Sequence, residues 1–213
     1  MTFPSIQEIQ TYTTASWDVV LGKTEAMQRF DLSAQGFWRS FYALFIAILL
    51  GEVGSLVVSL LADDGSFFEI GAFFTEWTNE PALLAFSYAF VLIFPALHWV
   101  TFAFVIGRFA NRLGIQETYS SYIIVRNWAW IFLACFGLLV EMMIRLSGSA
   151  YQELVLSYLW MFFEYWVYFR VARLVAVASI PVSLGLVALE YIVGIVVVLI
   201  PSLLINLIVV LVF

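Results

Sequence analysis

Four residues pose the chemical question of this chain: Glu52, His98, Glu164 and Glu190, each well inside a long apolar run. An ionised carboxylate in hydrocarbon costs about 3 kcal/mol on insertion scales, so each acid there needs a partner or a purpose. Imidazole changes charge near neutral pH, and one histidine with three acids has the makings of a proton or cation relay. The plainer reading gives each group one interhelical hydrogen bond to a tyrosine, tryptophan or serine, and the scarcity of serine and asparagine along the spans favours it. His98 stands three residues after Pro95, whose ring leaves a backbone carbonyl unpaired. With 1 His in the chain, at most one axial bond to a metal or haem is on offer. No metal site and no cofactor is expected.

Other polar residues have local explanations. Glu141 and Arg145 stand four apart with the acid first, a favourable pair on a helix. Arg126 and Asn127 fall near the opposite end of the same apolar run, where an arginine can snorkel to headgroups. Arg108, Arg112, Arg170 and Arg173 are candidates for holding anionic lipid heads. Gly51, Ser55 and Ser59 recur every four residues, a small-residue stripe that lets another helix approach, from within the chain or from a second subunit. Cys135 is the 1 Cys present, so neither an internal disulfide nor a cysteine-based metal site can form. There is no Gly-rich phosphate loop, HExxH or nucleophile elbow, and nothing proposes an enzyme.

The elements that must position these groups are membrane spans. About 20 mostly apolar residues cross a bilayer. Five stretches qualify: 37–61, 82–106, 122–144, 154–171 and 181–213. The last is long, and Pro201 should kink or divide it. Lys23, Arg29, Arg39, Arg108, Arg112, Arg126, Arg170 and Arg173 then share one side, with Arg145 alone on the other. The positive-inside rule makes the shared side cytoplasmic, with the N-terminus inside and the C-terminus outside. Residues 1–36 form a cytoplasmic amphipathic segment, in which Ser5 and Glu8 fit a capping box. Residues 37–213 form one transmembrane helical domain. Ser66 and Glu69 repeat the capping pattern before Phe73, Phe74 and Trp77, predicting an outer interfacial helix.

Composition supports the same class. Of 213 residues, 64% are hydrophobic and 11% charged, against roughly 45–50% and about 25% for a soluble domain. The 8 Trp, 10 Tyr and 21 Phe suit the two bilayer interfaces. A net charge of -6 argues against a nucleic-acid partner. The opening residues MTFPSIQEIQ are polar, unlike a secretory signal.

Asp31-Leu32, Gly36 and Phe37-Trp38 precede the first span, and a Leu113-Gly114 turn precedes the third. In these motifs the chain resembles the Yip1 family of five-helix membrane proteins. The resemblance implies a cytoplasmic N-terminus and a non-enzymatic role exercised through partners. The expectation is therefore an all-α polytopic bundle in a bacterial inner membrane. It would associate with lipids and with other membrane proteins or itself, possible forms including an accessory subunit of a bioenergetic complex. The alternative is a small transporter or proton conductor built on Glu52, His98, Glu164 and Glu190.

Overall fold

A computed structural model describes the backbone of residues 2–62, 81–147 and 149–212, and their side chains except at 59, 61–62, 81–92, 94 and 198–212. Every regular element among the described residues is helical. They are α1 (Ile6–Val20), a 3-10 turn (Thr24–Arg29), α2 (Ala34–Ser40), α3 (Tyr42–Ala62), α4 (Pro81–Phe109), α5 (Tyr119–Ser147), α6 (Ala150–Leu174) and α7 (Ile180–Val212). Among the described residues, three helical stretches, Ala34–Val58, Tyr119–Ser147 and Ile180–Val197, are long and apolar enough to cross a membrane. The expected outer interfacial helix falls at residues outside the described set, as does the side chain of Ser59. The final helix runs on through Pro201 instead of dividing there.

Helix α5 is the hub. It packs on α1, α2, α3, α4 and α6, most extensively on α3, while α7 closes the other side against α4 and α6. Its first half is the core: Tyr122, Ile123, Ile124, Val125, Trp128 and Leu133 are all buried. At 29 residues α5 is roughly 44 Å long, whereas the hydrocarbon layer is about 30 Å thick. One end must therefore project beyond hydrocarbon, and α1 and α2 pack on the end that begins at Tyr119. We refer to this as the capped end.

Helix α1 begins where the sequence predicts. Ser5 accepts from the Glu8 backbone N–H at 3.2 Å, and the Ser5 N–H donates to Glu8 Oε2 at 2.8 Å, completing the capping box. Its inner stripe, Ala15, Ser16, Val19 and Val20, is buried against protein. Ser16 Oγ donates to the Val125 carbonyl at 3.4 Å, and the Trp17 ring packs on Phe132, Phe136 and Phe163. Much of the apolar face of this amphipathic segment is thus spent on α5 and α6, while Ile6 and Leu21 stay exposed.

Glu8 also reaches Arg39, with 2.9 Å between its Oε1 and Arg39 Nη2. The Ser5 backbone hydrogen bond, joined by the Arg39 charge, holds its carboxyl below the ordinary 4.5. A lowered folded-state pKa adds stability that is present above the unfolded value and fades as pH falls through the folded one. Hydrogen-exchange protection of residues 6–20 is expected to decline as pH drops below 4.5, and Glu8→Gln should flatten that dependence. Protection that tracks pH identically in both proteins would refute this role.

The turn between α6 and α7 carries one strained residue. Val177 has φ of 51°, and its side chain is exposed. A β-branched residue in the left-handed region costs roughly 1–2 kcal/mol, which asparagine largely avoids. Val177→Asn is expected to raise stability by about 1 kcal/mol in denaturant titrations; no gain would show that the turn relaxes freely.

Candidate functional site

The polar centre of the bundle is an ion pair between Arg126 of α5 and Glu190 of α7, with side chains 1% and 5% exposed. Arg126 Nε donates to Glu190 Oε2 at 2.9 Å, and Nη2 donates to Oε1, so the contact is bidentate. Apolar rings enclose the guanidinium, whose centre lies 4.4 Å from the Phe102 ring and 5.1 Å from Trp99. Arg126 Nη1 donates to Asn127 Oδ1 at 3.3 Å, Asn127 Nδ2 to Ser40 Oγ at 2.9 Å, and Ser40 Oγ to the Phe37 carbonyl at 2.7 Å. The pair is thereby tied to α2, in the segment that carries the Asp31–Trp38 motif.

His98 approaches the same acid from α4. Its Nε2 lies 3.2 Å from the Glu190 carbonyl and 3.4 Å from Glu190 Oε1. Both neighbours are acceptors, so the chemistry assigns the proton to Nε2, which donates to them. Glu164 sits on α6, where Tyr168 Oη donates to its Oε1 at 2.8 Å. His98, Glu164 and Glu190 line one cleft of about 610 Å³ with Trp130, Tyr165 and Tyr168. His98 and Trp130 also line a second cleft of about 440 Å³, which extends between α3 and α5 to Gly51 and Glu141. The structure therefore gathers three of the four intramembrane candidates and leaves Glu52 apart. Glu52 lies near Glu141 instead.

The second polar cluster spans α3 and α5. Ser55 Oγ donates to Glu141 Oε1 at 2.7 Å, and Arg145 Nε donates to the same oxygen at 3.0 Å. The helical pair read from spacing is present, with Ser55 added from across the interface. Of the small-residue stripe, Gly51 has open space where a Cβ would stand, with no atom of another described element within 4 Å. The close approach of α3 to α5 is one turn along, at Gly54, where a Cβ would meet Leu138 Cδ1 at 2.4 Å.

Two of the lipid-headgroup candidates serve chain carbonyls: Arg170 Nε donates to Val20 O at 2.8 Å, and Arg173 Nη1 donates to Ala178 O. Arg108 and Arg112 are exposed. Arg126 and Asn127, by contrast, do not snorkel. Helices α1 and α2 cover that end of α5 and bury both. Cys135 lies on the exposed side of α5. Among the described residues, no group of three or more His, Cys, Asp or Glu could hold a metal.

Pairing with Glu190 is what reading the sequence missed for Arg126, and a signal for it exists. Arg126, Glu190, His98 and Glu164 stand roughly 10–17 Å from the capped-end termini of their helices, which puts all four in one layer. A buried acid at that depth calls for a cation, and Arg126 is the arginine in the layer.

No protein family, curated protein or solved structure matches this chain. The class it defines is a protein whose described residues are helical in every regular element, with three helices among them fit to span a membrane and a charge-compensated polar core.

Proposed function

We propose that this is a five-span, non-catalytic integral membrane protein that acts by association with other membrane proteins or lipids, as an accessory subunit of a larger assembly. Helices α4 and α6, at 29 and 25 residues, have the length for the two further spans. The basic residues that five spans would gather on one side argue for a cytoplasmic N-terminus and an outer C-terminus. The Asp31–Trp38 corner, which carries the resemblance to the Yip1 family, supports the same reading.

One observation carries the proposal. Among the described residues, the first half of α6 touches the bundle through Leu156 and Trp160, whereas Tyr151, Leu154, Tyr158, Leu159 and Phe162 are between 54% and 75% exposed. Gln152, Glu153 and Ser157 are exposed on the same stretch. A broad exposed face of mixed polarity fits a protein partner better than lipid alone. Extraction in mild detergent, followed by native mass spectrometry, should give a stoichiometric complex, and doubling Leu159→Arg with Phe162→Arg should release the partner. A lone monomer or homo-oligomer would sink the accessory-subunit reading.

A second reading, a small transporter or proton conductor, draws on the cleft shared by His98, Glu164 and Glu190. It predicts a flux in proteoliposomes that Glu164→Gln abolishes without loss of insertion.

A further inference from the structure

The 610 Å³ cleft has the dimensions of a small-molecule site, within the roughly 300–1,000 Å³ typical of ligand pockets. Its charge balance identifies what it would take. Glu190 is satisfied: two donors from Arg126 and one from His98 occupy its oxygens, and the guanidinium cancels its charge. Glu164 is different. It receives the Tyr168 hydroxyl on Oε1 and has no other partner among the described residues. Arg126, the cation of this layer, is already committed to Glu190.

The rings around Glu164 complete the picture. Trp130, Tyr165, Tyr168 and Tyr191 line the cleft, with Gly194 and Ile195 on the α7 side. Aromatic faces attract a cation that has shed its water, and tyrosine and tryptophan do so best. A metal ion would want several oxygen ligands, whereas one carboxylate among aromatic rings suits a single diffuse positive charge on an apolar body. Tyr191 is 54% and Ile195 38% exposed, so a ligand has a way in from the bilayer-facing side of α7.

We infer that this cleft binds a monovalent, amphipathic organic cation, with the Glu164 carboxylate as its counter-charge and Trp130, Tyr165, Tyr168 and Tyr191 as its cage. Glu190 and Arg126 form the back wall and remain paired when the site is filled. Association with a partner protein is not required for this binding, so the inference stands apart from the proposed function.

The test uses the purified full chain in detergent with tetraphenylphosphonium as probe and triphenylphosphine oxide as its neutral counterpart, measured by equilibrium dialysis against empty micelles. The wild type should bind the phosphonium saturably, one per chain, and the oxide should not displace it. Glu164→Gln, which keeps shape and removes charge, should weaken binding at least tenfold; Tyr165→Leu should weaken it several-fold. Glu52→Gln, away from the cleft, should bind as the wild type does, and size-exclusion profiles should confirm that all variants are folded. Equal uptake by wild type and Glu164→Gln would overturn the proposal as mere partitioning into micelles. Equal loss in Glu52→Gln would overturn the assignment to this cleft, and displacement by the oxide would overturn the role of charge.

Discussion

Arg126→Met is expected to destabilise the bundle by about 3–5 kcal/mol, the usual result of removing one partner from a buried ion pair. The cause is what remains. Glu190 is 5% exposed, and without the guanidinium its charge would face Trp99, Phe102 and the imidazole of His98. Glu190→Leu alone should cost a similar amount, by stranding the arginine. Combining the two changes should recover much of both losses, because the desolvation penalty of each ion disappears with it. Arg126→Lys should fall between, since an ammonium cannot reproduce the bidentate contact or the stacking on Phe102. The folded fraction across a titration of dodecyl sulfate into mild-detergent micelles, followed by circular dichroism, gives the four corners of the cycle. Strictly additive losses in the double variant would show that the pair is not coupled and would remove it as the lock between α5 and α7.

Gly36→Ala is the second large effect. A Cβ at Gly36 would stand 1.9 Å from the Asp31 carbonyl oxygen and 2.7 Å from the carbon behind it. These are backbone atoms, and they are held. Ser33 N–H donates to Asp31 Oδ1 at 3.0 Å, and Gly36 N–H donates to Ser33 Oγ at 3.1 Å, so the turn and the start of α2 are pinned together. The corner must open to admit one methyl group, and we expect a loss of about 3 kcal/mol, at the upper end for overpacking. Gly54→Ala is the control: its Cβ would meet only the movable end of the Leu138 side chain, and about 1 kcal/mol is expected. The same detergent titration compares them, and a Gly36 variant as stable as the Gly54 variant would refute the account. Opening this corner would also disturb Ser40, and through Asn127 the Arg126–Glu190 pair.

Features that depend on neighbours in the chain were legible in the sequence. Apolar runs marked the helices, because backbone polar groups in hydrocarbon must be satisfied within the segment. The Ser5–Glu8 box and the Glu141–Arg145 pair were readable because each partner lies within one turn of the other. What the sequence could not show is which way each helix faces. In a soluble protein the polar stripe identifies the outside, but here lipid and core are both apolar, and α4 and α7 carry no stripe to orient them. Whether Glu190 met Arg126, His98 or lipid was therefore a matter of rotation about the helix axis, across 64 residues of chain. Tertiary packing decided it. The mutual fit of α4, α5, α6 and α7 turned Arg126 and Glu190 toward each other, brought His98 against Glu190 and left Glu164 without a cation beside them, while the packing of α3 on α5 set Glu52 with Glu141.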